Sequence, residues 1–184
     1  MRSIFFLILV FLLISCSEET TPKPKAYLSL DYPKPSYKKL DIQRPFTFKV
    51  SENALVKDLP KNWLKIEYPA LKASVDITYR PIQNNLTELL IESQKLVFKH
   101  TQKAAQITSN EFVDDTKKVF GSIYDITGDA ASQIQFHLTD STHHFIKGAL
   151  YFNIKPNYDS ILPAINYIRK DISKLIETLE WETK

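Results

Sequence analysis

The sequence predicts an α+β domain in which an antiparallel sheet is packed by two long helices. Three observations lead to this fold class. Apolar and polar residues alternate in several short segments, two longer segments have helical periodicity, and their order along the chain is strands, helix, strands, helix. The 184 residues include 43% hydrophobic residues and only 3 glycines, a composition typical of one packed domain rather than of a disordered or repeat-built chain.

The first predicted strands lie between residues 46 and 79. Phe46, Phe48 and Val50 alternate with polar neighbours. Two more alternating segments, 64–68 and 73–79, flank a turn at 69–72, and together they predict an antiparallel hairpin with one buried face.

The first helix is predicted to begin at residue 86 and to end near Ala105. Asn85 is placed to cap it, and Glu88 follows three residues later, as in a capping box. Its buried stripe is predicted to be Leu86, Leu89, Leu90, Ser93, Leu96, Val97, His100 and Ala104.

A second block of strands is predicted at 119–123, 133–138 and 146–154. In the middle segment Ile134, Phe136 and Leu138 point to one face of the sheet. Gln133, Gln135 and His137 point to the other. Apolar residues occupy both faces of 146–154, which predicts a central strand.

The last helix is predicted to start at a Ser160 cap, with Pro163 in the first turn, where proline loses no internal hydrogen bond. Its buried face is predicted to be Ile161, Ile165, Ile168, Ile172, Leu175, Ile176 and Leu179. The resulting strand–helix order resembles the PsbP/Mog1-like sandwich, a likeness of topology that carries no function.

The N-terminus has the parts of a secretory signal. Arg2 precedes an apolar run at 4–14, which as a helix of roughly 16 Å is too short to cross the ~30 Å hydrocarbon core. Leu13-Ile14-Ser15-Cys16 resembles the lipobox of bacterial lipoproteins. We therefore expect cleavage before Cys16, lipid on its thiol and amine, and attachment to a membrane through the acyl chains.

Three regions follow from this interpretation: a signal peptide at 1–15, a lipid anchor and extended Pro/Lys-rich tether at 16–44, and a single α+β domain at 45–184. Within the tether, residues 26–30 have two interpretations, an edge strand or a docking segment. Ser17 directly after Cys16 favours the outer membrane over the inner one by the usual bacterial sorting rule.

Several functional classes find no support in the sequence. The net charge of +3 and the diluted lysines between 23 and 39 do not predict a nucleic-acid partner. The glycines at 121, 128 and 148 cannot form a phosphate-binding loop, and no serine-nucleophile motif or metal-ligand spacing of His and Cys occurs. We therefore predict no cofactor, no metal and no enzymatic activity.

One polar group remains as a candidate site. Ser132, Gln133, Gln135, Asp140, Asn157 and Asp159 cluster in sequence near strand ends and at a helix start, and they predict an edge that recognises a partner protein. Turn and cap chemistry is the competing interpretation.

Two other functions stay open on the residues alone. The row formed by Gln133, Gln135 and His137, with Tyr151 near it, suits an envelope module that binds a small molecule or glycan. A hydrolase would require Asp125, His137, Asp140 and Asp159 to converge.

The chain also resembles the GldD family of gliding motility lipoproteins of Bacteroidetes. The matching pieces, which lie between residues 16 and 181, are PKPKAYL at 22–28, IEYP at 66–69, NNL at 84–86, AASQ at 130–133, QF at 135–136, TDS at 139–141, GALYF at 148–152 and PNYDSILP at 156–163.

The resemblance implies a role in gliding on surfaces and a link to type IX secretion, which delivers the motility adhesins. It also implies work beside other envelope lipoproteins of that system. It transfers no catalytic residue to this chain, and only the lipidated cysteine carries over, onto Cys16.

Overall fold

A computed structural model describes residues 31–99, 103–154 and 157–182 of the protein. The predicted signal peptide, Cys16 and His100 lie outside these residues. The elements in chain order are β1 (Tyr37–Lys39), β2 (Phe46–Thr47), β3 (Lys49–Ser51), β4 (Leu55–Leu59), β5 (Trp63–Tyr68), β6 (Ala73–Pro81), α1 (Leu86–Phe98), β7 (Ala104–Asp114), β8 (Val119–Gly128), β9 (Ser132–Thr139), β10 (His144–Phe152), α2 (Tyr158–Glu177) and β11 (Glu180–Trp181).

The main sheet has seven strands in the order β4-β5-β6-β10-β9-β8-β7, and every neighbouring pair is antiparallel. The α+β class and the antiparallel sheet are therefore confirmed. The strand β10 lies at the centre of the order, as its apolar residues on both faces predicted. Two short ribbons, β1-β3 and β11-β2, complete the strand pairing.

The helix α2 covers one face of this sheet. Its predicted apolar stripe is buried in one core cluster with alternate residues of the central strands, among them Phe136 and Leu150. Packing at the centre is tight, because a Cβ on Gly148 would overlap the ring of Phe136. The prediction that Ser160 caps this helix is wrong. The helix begins earlier, with Asn157 at the N-cap, so that Pro163 lies inside the helix rather than in its first turn.

The helix α1 covers the opposite face and contacts β9 and β10. Three of its predicted stripe residues, Leu89, Ser93 and Val97, are buried. Val97 packs with Tyr124 and Ile126, which alternate with the residues that face α2. Two helices on the two faces thus give three layers.

The structure corrects the extent of the first helix. The helix α1 has 13 residues and ends at Phe98, so "long" describes only the 20-residue α2. Residues 104–114, placed partly in the helix and partly in a connector by the sequence, form the edge strand β7. Most of its side chains are exposed, so it lacks the apolar alternation that identifies a half-buried strand. The edge strand β4 was missed for the same reason.

Neither helix among the described residues is long and apolar enough to span a membrane. The likeness of the element order to the PsbP/Mog1-like sandwich stays a prediction.

Candidate functional site: the junction between the N-terminal segment and the domain

The most distinctive polar cluster lies where the N-terminal segment meets α2. Asp171 stands on the buried side of the helix and is only 4% exposed. The hydroxyl of Tyr37, on β1, donates a hydrogen bond of 3.0 Å to Asp171 Oδ1. Since β1 pairs with β3, residues 37–39 are held both by backbone pairing and by this side-chain contact. Part of the range predicted as a tether therefore packs against the domain.

A second contact secures the same segment further upstream. Tyr32 stacks on Tyr167 of α2 with ring centroids 4.8 Å apart and an interplanar angle of 18°. Asn53 donates to the Tyr167 hydroxyl at 3.4 Å. We call the group of Tyr32, Tyr37, Ser51, Tyr68, Tyr167 and Asp171 the junction.

The electrostatics of the junction follow from burial. Burial raises the pKa of Asp171 above its ordinary value, and the nearby hydroxyl groups of Tyr37, Tyr68 and Ser51 offset the rise only in part. Burial and the neighbouring carboxylate raise the pKa of Tyr37 to about 12, and they also raise the pKa of Tyr68. Both tyrosines therefore keep their protons at neutral pH and act as donors.

The cavity beside Asp171 is small. It has a volume of about 10 Å³ and lies among residues that include Ser51, Tyr68 and Asp171. Among the described residues, no donor meets Asp171 Oδ2 in hydrogen-bond geometry. A cavity of this size holds about one water molecule, whereas ligand pockets measure roughly 300–1,000 Å³. The junction is therefore a structural attachment point and has no room for a substrate.

The sequence contains one signal that points to the junction. Asp171 falls on the apolar stripe of α2, three residues after Ile168 and four before Leu175. A carboxylate at such a position must find buried partners, because leaving it unpaired costs several kcal/mol, on the order of 3–5. Tyr37, inside a Pro/Lys-rich segment, is such a partner.

The structure does not bring the six predicted recognition residues together. Ser132, Gln133 and Gln135 are 0%, 3% and 5% exposed. The Ser132 hydroxyl donates to the Ile134 carbonyl at 3.2 Å, and Gln133 Nε2 donates to the Ala130 carbonyl at 2.7 Å. These three side chains are therefore no part of an exposed edge in the described structure.

Asp140 organises the β9–β10 hairpin loop. Its Oδ1 accepts the backbone N–H groups of Thr142, His143 and His144 at 3.0, 2.8 and 2.8 Å. Burial alone would raise the pKa of Asp140, but these backbone donors outweigh it and leave the pKa below its ordinary value. The carboxylate is ionised and accepts hydrogen bonds from its own loop, which agrees with the interpretation of Asp140 as a turn residue.

Asn157 and Asp159 lie at the other end of β10, at the start of α2. Asn157 Oδ1 accepts the Ser160 N–H at 3.3 Å and caps the helix, and Asp159 stands in the first turn. Nine strand residues, from His144 to Phe152, separate this end from the Asp140 loop. The six residues thus divide among a buried row, one hairpin loop and one helix cap.

The row proposed for ligand binding is covered. His137 is 5% exposed and stacks on Phe145 at 5.8 Å. Burial lowers its pKa, so its imidazole is neutral at neutral pH. Gln133, Gln135 and His137 face opposite to Ile134, Phe136 and Leu138, as predicted, but this face is buried too.

The arrangement required for a hydrolase is absent from the described residues. Asp125 faces the α2 side and pairs with Arg169, whereas His137 faces the opposite side. Asp140 and Asp159 lie at opposite ends of β10, so the four residues scatter. Within the same residues no group of three or more His, Cys, Asp or Glu side chains could hold a metal ion. An open groove of about 520 Å³ is lined by Asn166, Arg169, Lys170, Ser173 and Glu177 of α2, none of which is buried.

Comparison with known proteins identifies the chain at the level of a family. The family model described as gliding motility lipoprotein GldD matches residues 17–181. No curated protein matches the chain.

Proposed function

We propose that the chain, which belongs to the gliding motility lipoprotein GldD family, is a non-enzymatic component or assembly factor of the gliding and type IX secretion machinery. In this proposal lipid on Cys16 holds it to a membrane of the envelope, the outer membrane rather than the inner one. Its direct contacts are other envelope proteins of the same machinery.

The observation that carries the proposal is the junction. A lipoprotein that only displays a domain needs no more than a flexible linker, but here Tyr32 and Tyr37 contact α2 through a ring stack and a partly buried hydrogen bond. The segment that leads from the domain toward Cys16 is therefore held against α2 as far as Tyr32. Such an attachment gives the domain a defined position relative to its anchor, which suits a part of a larger assembly.

The rest of the surface supports a role in binding over one in chemistry. The polar row on β9 is filled by packing, and the candidate acids and His137 do not converge. The sheet ends in the long edge strand β7, whose side chains are mostly exposed. An open strand edge offers backbone groups to a partner chain, which is a common mode of protein recognition.

A clean deletion of the gene tests the proposed function. We expect the deletion strain to lose colony spreading and to export less adhesin, and the wild-type gene to restore both. The variant Cys16→Ala, produced in comparable amounts, should restore neither, while the exposed-surface variant Gln94→Ala should restore both. Normal spreading together with normal adhesin export in the deletion strain would contradict the proposal.

A further inference from the structure

The direction in which the N-terminal segment leaves the domain is fixed by its contacts with α2. Tyr37 contacts Asp171, and Tyr32, five residues earlier, stacks on Tyr167, four residues earlier in the helix. Traced toward Cys16, the chain therefore runs along α2 toward the helix N-terminus. Fifteen residues, 16–30, precede the first described residue. At 3.3–3.6 Å per residue they span at most about 50–54 Å.

The segment thus points to one end of the sheet, which we call the proximal end. It consists of the turn at 69–72, the loop at 129–131, the segment 153–154 and the start of α2. Register and contacts place these together: Tyr68 pairs with Ala73 and Ala73 with Phe152. The Asn153 N–H donates to the Lys72 carbonyl at 2.7 Å, and the Tyr158 N–H donates to Asp129 at 2.9 Å.

Large apolar side chains are exposed at this end. Tyr151 and Ile154, at the end of β10, are 40% and 41% exposed, and Leu55, at the start of β4, is 57% exposed. Phe98, the last residue of α1, is 55% exposed. It lies at the same end, because its neighbour Val97 packs with Ala104 and Ala130 there. Burying such side chains at a bilayer interface is favourable by about 25 cal/mol per Å² of apolar area.

We propose that the proximal end lies against the bilayer that receives the lipid of Cys16, with Tyr151, Ile154 and Leu55 at the level of the headgroups. This inference rests on the proposed lipidation of Cys16. The tether keeps the domain within about 50–54 Å of the membrane, so even a weak surface affinity acts at high effective concentration. If the opposite, distal end lay against the bilayer instead, the N-terminal segment would have to turn back along the whole domain.

The charges at the proximal end indicate what kind of contact this is. The exposed cations Lys72, Lys99 and Lys103 are balanced by exposed acids, Glu52, Asp129 and Asp159. No large electrostatic attraction to anionic lipid follows from such a mixture. The contact should therefore depend on apolar insertion and be nearly independent of the anionic lipid content.

The two native tryptophans provide an internal control, because both belong to the distal end. Trp63 pairs with Leu59 at the start of β5, and Trp181 stacks on His144 at the start of β10. The test uses the lipidated full-length mature protein in vesicles that contain brominated phospholipid, which quenches tryptophan at the interface. Two variants each add one tryptophan: Ile154→Trp at the proximal end and Leu59→Trp, a matched exposed aliphatic site, at the distal end.

We expect the added tryptophan of Ile154→Trp to be quenched at least twofold more strongly than the wild-type tryptophans or the added one of Leu59→Trp. Tyr151→Trp should behave like Ile154→Trp, and vesicles with and without phosphatidylglycerol should give the same ranking. Equal quenching in all proteins, no quenching, or stronger quenching of Leu59→Trp would overturn the inference. Mass spectrometry of the N-terminal peptide separates the two proposals: a Cys16 without lipid refutes the anchor and the inference with it, whereas a lipidated protein without the ranking refutes the inference alone.

Discussion

Replacing Asp171 by Asn tests whether the junction contains a carboxylate that folding makes harder to ionise. Asn keeps an oxygen that can accept the Tyr37 hydroxyl and removes the charge. Burial raises the pKa of Asp171 in the folded protein, whereas the unfolded chain titrates near 3.9. The wild type should therefore become less stable, relative to Asp171→Asn, as the pH rises from about 4.

The sign follows from proton binding. Below a pH of about 4 both states of the wild type hold the proton, so Asp171 adds no pH dependence. As the pH rises from there to the pKa of folded Asp171, the unfolded state releases the proton and the folded state keeps it. The free energy of unfolding then falls by at most about 1.4 kcal/mol per pH unit, and it becomes constant above that pKa.

Urea unfolding of both proteins between pH 3.5 and 8 measures this difference. Subtracting the two curves removes the contributions of groups that both proteins share. A difference that is flat with pH, or a wild type that gains stability relative to Asp171→Asn as the pH rises, would refute the reasoning. In the companion variant Tyr37→Phe, loss of the hydrogen bond to Asp171 should cost about 1–3 kcal/mol, because it leaves a buried acceptor without its donor. Tyr151→Phe, at an exposed tyrosine, should change stability by about 0.5 kcal/mol or less.

Three further predictions concern the domain core and its caps. Gly148→Ala should destabilise the protein by about 1–3 kcal/mol in chemical unfolding, and Phe136→Leu in the same chain should recover part of that loss, since the ring is the obstacle. Because burial lowers the pKa of His137, stability should decline as the pH falls below about 6.5, and His137→Phe should flatten this decline; an unchanged slope would contradict it. Asn157→Ala should lower the stability of the protein by about 1 kcal/mol in thermal unfolding, because it removes the N-cap of α2. Asn157→Asp should keep most of the stability that the cap provides.

The sequence was sufficient to predict the elements whose burial produces a clear periodicity of apolar residues. Residues 161–176 show the 3.6-residue repeat because one side of α2 is buried along its length. The central position of β10 could be predicted because a strand covered on both faces carries apolar residues on both. The edge strand β7 has neither property, since its pairing is by backbone and its side chains face solvent.

The candidate site was harder to predict, for a different reason. Alternation placed Gln133, Gln135 and His137 on one face correctly, but a period of two does not show what covers that face. The helix α1 covers it, so a polar row that suggested a binding surface is buried. Asp171 and Tyr37 are 134 positions apart, and only the folded chain brings them into contact.

An affinity pull-down of the tagged lipoprotein from cross-linked envelopes tests the central claim most directly. If the chain is a lipid-anchored part of the gliding and type IX secretion machinery, the wild type should recover components of that machinery. Cys16→Ala, at the same level of expression, should recover far fewer. Recovery of no such component by a folded, lipidated wild type, or equal recovery by both proteins, would contradict the proposed function.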